Sequence, residues 1–137
     1  MFHTETKQAL RAMTILAGRR EVISLGELAK RSTSPAPALA RVLARLGRRG
    51  LVSGRRGPGG GYRLARPANE IALRDIVLPI EGARFGRGCL FGRLRCTEAR
   101  PCPLHGTWAV ARSGILELLA QRSLADLVAG SRRGSRR

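Results

Sequence analysis

Apolar residues recur along the first half of this chain at helical spacing. Ala9, Leu10, Met13, Leu16 and Ala17 fall on one stripe and Gly18 follows as a stop, which predicts a helix over residues 5–17. Ser24 and Glu27 have the spacing of a capping box and predict a short helix running to about Arg31. Ser32, Thr33 and Ser34 read as a turn. Ser34 is placed to cap the next helix, with Pro35 at its first position and Pro37 still inside its first turn. In that helix Leu39, Val42, Leu43 and Leu46 make an apolar stripe, Arg41, Arg45 and Arg48 take a separate face, and Gly47 and Gly50 end the pattern. The periodicity then changes. Leu51–Ser53 and Tyr62–Leu64 are short strand-like runs, and the glycine-rich, basic stretch 54–61 between them predicts a hairpin with a long tip.

Beyond a connector at 67–69, a short helix is expected from Leu73 to Ile80, stopped by Gly82. Residues 82–103 are rich in Gly, Arg and Pro and cannot build a core of their own. From Leu104 the helical pattern returns. Leu104, Trp108, Ala111, Ile115 and Leu118 form a heptad-like seam suited to packing against a partner helix. Ser123 is placed to cap a last short helix, Leu124 to Ala129, and the remaining tail reads as disordered. The resulting division is 1–81, 82–103, 104–130 and 131–137.

Three helices followed by a hairpin is the order of a winged helix-turn-helix domain, in which the third helix enters the major groove and the hairpin touches flanking DNA. The fold class expected is mainly α: a winged helix-turn-helix DNA-binding domain with a two-stranded wing, followed by a long C-terminal dimerisation helix.

Charge sharpens this picture. The chain of 137 residues has 26 Lys and Arg against 9 Asp and Glu, a formal net charge of +17. A high-GC genome would also enrich arginine, so placement matters more than abundance. Between Glu27 and Glu70 there is no acidic residue, while the same interval holds Lys30, Arg31, Arg41, Arg45, Arg48, Arg49, Arg55, Arg56, Arg63 and Arg66. Cations collected on the reading helix and wing are an electrostatic footprint for phosphate; the competing reading is a solvated basic surface. The candidate DNA-contacting set is Ser34, Arg41, Arg45, Arg48, Arg55, Arg56, Gly59, Gly60, Tyr62 and Arg63. No apolar run is long enough to span a bilayer, and the N-terminus lacks the features of a signal peptide, so a cytoplasmic location is expected.

All 3 cysteines fall in the loop, and the chain has only 2 histidines. Cys89, Cys96, Cys102 and His105 have the spacing C-x6-C-x5-C-x2-H. Three thiolates and an imidazole are a complete ligand set for a soft metal or an iron–sulfur cluster. Zinc is the alternative cofactor, and free thiols a third reading. An odd cysteine count in a reducing compartment argues against a disulfide framework. Arg87, Arg93 and Arg95 are expected to lower the thiol pKa values and offset the charge of a thiolate-bound cluster, or else to be solvated loop charges. His105 at a helix mouth could equally be a capping or surface residue, and Trp108 is expected in core or dimer packing. The glycine run at the wing lacks the Lys-Ser/Thr ending of a phosphate-cradling loop, and neither Asp75 nor Asp126 pairs with a histidine or nucleophile. No catalytic constellation is found, so an enzyme is not expected.

Five stretches together carry a resemblance. They are 6–12 (TKQALRA), 24–29 (SLGELA), 50–57 (GLVSGRRG), the most specific piece 59–67 (GGGYRLARP), and, after the cysteine loop, 123–127 (SLADL). Over nearly its whole length the chain resembles bacterial transcription regulators of the Rrf-two family, locally closest to its IscR-like members. The resemblance implies a homodimer whose C-terminal helices cross, a palindromic double-stranded DNA operator, and a cluster on the cysteine loop. It further implies a regulator, of the repressor kind, sensing cluster status, redox stress or nitric oxide. In IscR-like members three cysteines and a histidine hold a [2Fe–2S] cluster; Cys102, His105 and Trp108 match the local pattern C-x2-H-x2-W. In NsrR-like members an acidic residue from the partner's first helix completes a [4Fe–4S] site. Lys7 stands at that position here, so the resemblance favours His105 and [2Fe–2S]. The chain departs from the IscR-like pattern in a first cysteine gap of six residues instead of five, and in Ala38, where an aromatic is usual. A different class of protein, a basic structural or RNA-associated chain with a zinc-stabilised loop, fits the same charge and cysteines.

Overall fold

The computed structural model describes residues 2–82, 84–92 and 95–134. Six helices and one two-stranded sheet follow in the order α1 (Thr4–Ala17), α2 (Leu25–Ser32), α3 (Ala36–Arg48), β1 (Val52–Arg55), β2 (Gly61–Leu64), α4 (Leu73–Glu81), α5 (His105–Gln121) and α6 (Leu124–Gly134), with a 3-10 turn at Ala68–Glu70. This is the winged-helix architecture. The stripes predicted from spacing are the faces that are buried: Ala9, Met13 and Leu16 of α1, Leu28 of α2 and Leu39, Val42, Leu43 and Leu46 of α3 pack with Leu51, Ile71 and Ile76 into one core.

Local chemistry explains several element ends. Ser24 accepts the Glu27 N–H at 3.2 Å and starts α2, but the Glu27 carboxylate turns outward to Arg31, 2.7 Å away, so only half of the expected capping box forms. Ser34 does not cap α3. Thr33 adopts the left-handed conformation (φ 52°) and reverses the chain, so the Ser34 hydroxyl donates back to the Ser32 carbonyl and Pro35 takes the cap position. Two prolines at the start cost α3 nothing, because first-turn N–H groups have no helical acceptor.

The wing is longer than its sequence pattern suggests. The strands pair antiparallel from Val52↔Leu64 to Arg55↔Gly61, which leaves only residues 56–60 in the tip. Two glycines where the tip meets β2 are sterically required. A Cβ at Gly60 would lie 2.2 Å from the Arg55 carbonyl oxygen, and one at Gly61 would lie 2.2 Å from that of Ile23. The second contact arises because Ile23 pairs with Tyr62 through two backbone hydrogen bonds (2.9 and 2.8 Å), tying the wing root to the α1–α2 connector.

The C-terminal half returns to the head. Leu73 N–H donates to Arg122 O and Leu124 N–H to Ile71 O, and Leu124 is fully buried in the main core. The α6 start is a reciprocal cap, with the Ser123 N–H on the Asp126 carboxylate (2.8 Å) and the Asp126 N–H on Ser123 Oγ (3.3 Å). α6 continues to Gly134, past the expected end at Ala129, so residues 131–134 of the expected disordered tail are helical; 135–137 lie outside the described residues. A second, smaller apolar cluster of Leu73, Val77 and Leu119, with Phe2, Phe85 and Ile115 against it, seats α5 on α4.

Candidate metal centre and nucleic-acid interface

The cysteine loop is attached at both ends by identifiable contacts. At its entry, Glu81 ends α4 with a side chain only 2% exposed. Its carboxylate accepts from the His3 backbone N–H (2.8 Å) and the Thr6 hydroxyl (2.6 Å), and His3 Nδ1 lies 2.6 Å from its second oxygen. Burial alone would raise the Glu81 pKa, but the Thr6 hydroxyl and the His3 backbone and ring outweigh it, and the carboxyl is held below its ordinary range. Phe2 stacks on Phe85 (centroids 5.6 Å apart), so the start of α1 clasps the loop base. Further along, the Gly88 carbonyl accepts both the Trp108 indole N–H and an Arg112 N–H, each at 2.9 Å. Two donors from α5 thus fix the residue before Cys89.

The candidate ligands lie close together. The sulfurs of Cys89, Cys96 and Cys102 all lie within 4.8 Å of one another. Cys89 Sγ and Cys102 Sγ are 3.7 Å apart, and Cys96 Sγ and His105 Nδ1 are 3.2 Å apart. Two sulfurs on one tetrahedral metal with bonds of about 2.3 Å stand roughly 3.8 Å apart, so the first pair already has the span of a shared ion. His105 meets the centre through Cys96 from the first residue of α5, where its N–H donates to Cys102 O. The Cys102 N–H donates to Cys96 Sγ at 3.4 Å. Cys102 is buried and the other two are half-buried. The donor set therefore suits a thiophilic metal or cluster.

The expected arginine effect on the thiols is not found at Cys96. The Cys102 N–H favours its thiolate, but burial and the Cys102 and Cys89 thiols outweigh it and push the Cys96 thiol up. Arg87 and Arg95 are exposed, and Arg93 lies outside the described residues. Like groups crowded together resist ionisation.

The heptad-like seam splits in three dimensions. Ile115 packs inward on Leu73, Val77 and Leu119, and Trp108 is half-buried with its N–H on Gly88. Leu104 (39% exposed), Ala111 and Leu118 (54%) face outward, joined by Val110 at 76%, which the heptad spacing did not include. Sequence reasoning missed both the Glu81 clasp and the exposed Leu90 and Phe91 beside Cys89. The clasp joins residues 78 apart and leaves no local pattern, whereas two adjacent apolar residues in a polar glycine loop are visible in the sequence.

On the head, Arg41, Arg45, Arg48, Arg55, Arg56 and Arg63 are all exposed, and Gly59 lies at the wing tip with Gly60 and Tyr62 behind it, half-buried. Ser34 is only 8% exposed. Arg45 is not wholly available, because Nη1 lies 3.4 Å from a Glu5 carboxylate oxygen of α1. That pair is solvent-exposed and weak, so a phosphate could replace it.

Comparison with known proteins agrees with this geometry. A family model described as "Rrf2: Iron-dependent Transcriptional regulator" matches residues 2–130. The regulator IscR of Photorhabdus laumondii is 31% identical over 77% of this chain and 64% of its own length. IscR of Cereibacter sphaeroides is 40% identical over 57% of this chain and 53% of its own. Among solved structures, T. potens IscR superposes with a TM-score of 0.75 at 28% identity, covering 96% of this chain and 88% of that one. Oxidized Staphylococcus aureus CymR does so with 0.76 at 26%, covering 93% and 95%. No helix among the described residues is long and apolar enough to cross a membrane. The chain belongs to the Rrf2 family of winged-helix transcriptional regulators.

Proposed function

We propose that this regulator is a homodimeric DNA-binding repressor whose cysteine loop holds an iron–sulfur cluster, [2Fe–2S], and that cluster occupancy sets its affinity for a palindromic operator. The observation that carries the reading is the mutual approach of three sulfurs within 4.8 Å, with His105 3.2 Å from one of them. Cys89 with Cys102, and Cys96 with His105, form two close donor pairs that would hold the group. When bound, such a cluster supplies a redox-active, oxidant- and nitric-oxide-labile centre.

The chain's own residues supply the rest. Ligation would take the thiols as thiolates, and the positive charge of the bound group would offset the mutual crowding that raises Cys96. Trp108 and Arg112 hold the Gly88 carbonyl, so a rearrangement at Cys89 is felt directly on α5. Val110, Ala111 and Leu118 leave an exposed face on that helix for a second copy, which would set the spacing of the two reading heads. A ligand shifts such an equilibrium only as far as it prefers one arrangement. Arg41, Arg48, Arg55, Arg56 and Arg63 are the residues expected on DNA, the arginines of the wing in or beside the minor groove.

A compact three-sulfur site also suits one zinc ion, which would make the loop structural. The test is to purify the protein anaerobically, then compare operator affinity with and without the bound group. Cluster sensing predicts a brown protein whose affinity changes when the cluster is removed. Equal affinities would refute the switch, and a colourless protein with one zinc per chain would favour the structural reading.

A further inference from the structure

Away from the sulfurs, arginines from three separate elements converge on one concavity. Arg49 follows α3, Arg66 follows β2, and Arg74 lies in the first turn of α4; with Asp75 and Leu78 they line a cavity of about 410 Å³. Its one carboxylate is already engaged, because Asp75 accepts the Ala72 N–H at 3.0 Å. Asp75 approaches Arg74 only to 3.9 Å. Arg66 donates to the Glu70 carbonyl at 2.8 Å, which holds its guanidinium in place without neutralising it. Among the described residues neither Arg49 nor Arg66 has an ion pair, whereas Arg31 and Arg45 do. Arg49 also borders an adjoining cavity of about 420 Å³ that reaches Arg87.

Guanidinium groups gathered in a concave surface repel one another and focus a positive field. They are planar forks that match phosphate oxygens two at a time. We infer that this groove is a phosphate-binding site, separate from the cysteine centre and from the exposed faces of α3 and the wing. Arg49 is shared by both cavities, so the groove offers guanidinium groups to a ligand bearing more than one phosphate group. Such groups come either from a DNA backbone or from a small phosphorylated molecule.

The probe is sodium pyrophosphate, titrated into the full-length protein in chloride buffer and followed by backbone amide chemical shifts. Saturable shifts at Arg49, Arg66 and Arg74, with affinity about tenfold weaker in Arg74→Gln, would support the site. Arg66→Gln is the second variant, and dispersion of the remaining amides reports whether either variant has unfolded. DNA binding by the same variants identifies the source. A salt-dependence slope lower by about 0.9 for each phosphate no longer neutralised assigns the groove to the DNA backbone, and an unchanged slope with pyrophosphate binding assigns it to a small ligand. Shifts confined to α3 and the wing, with an unchanged DNA slope in both variants, would overturn the inference.

Discussion

The reading head and the cysteine loop are built by different physics. The head buries Met13, Leu16, Leu28, Leu39, Leu43, Leu46, Leu51, Ile71 and Ile76 at 1% exposure or less. The loop leaves Leu90 and Phe91 more than half exposed and is held by a few polar contacts and by the Phe2–Phe85 stack at its base. Close packing gives the head a stiff, well-defined shape. A segment held by a handful of hydrogen bonds has low local stability and responds to a ligand. The two meet at Glu81, which ends the last helix of the head and begins the loop.

Mutations that separate the two regions test this contrast. The largest effect belongs to the head. Leu46→Ala empties a site with no exposure and should cost about 3 kcal/mol, read as a lower denaturation midpoint. Cys102→Ser should remove metal binding while moving that midpoint little; a comparable loss of stability would mean the loop is part of the core. Glu81→Gln comes next, at about 2 kcal/mol, because it weakens a buried carboxylate that accepts from Thr6 and His3. The folded pKa of Glu81 lies below its unfolded value, so its contribution is present above the ordinary carboxylate range. It is lost as pH falls through the lower, folded pKa. The stability gap between wild type and Glu81→Gln should therefore narrow in acid, and a gap independent of pH would show that the charge is not what stabilises the clasp. Trp108→Phe keeps an aromatic ring and deletes one bond to Gly88, for about 1 kcal/mol, felt as faster amide exchange in the loop and not in the head. The smallest effect on folding is expected from Arg55→Ala with Arg56→Ala. Both are exposed, so stability should hold while the salt-dependence slope for DNA falls by about 0.9 for each phosphate the wing ceases to neutralise. An unchanged slope would remove the wing from the interface.

The contrast also explains what can be read from the amino-acid order. The head's helices and hairpin follow from periodicity and punctuation, because each buries a stripe that local spacing reveals. The candidate cysteine ligands are legible for a related reason: their chemistry is carried by rare residue types close in sequence. What escapes are arrangements decided by the surrounding structure. Ser34 yields its capping role to a left-handed Thr33 one residue earlier. The seam on α5 divides because Leu73 and Val77 of α4 claim Ile115, leaving Val110 on the outer face. The thiol environment of Cys96 follows from sulfur-to-sulfur approach, not from the arginines nearby in sequence.

A cluster held by the three cysteines and His105 is what the proposed switch depends on. Its most direct test is the iron and acid-labile sulfide content of anaerobically purified protein, measured together with the visible spectrum. Iron and sulfide in equal amounts, with visible absorption that Cys102→Ser abolishes, is the predicted result. A colourless protein carrying one zinc per chain, or no metal at all, would contradict it.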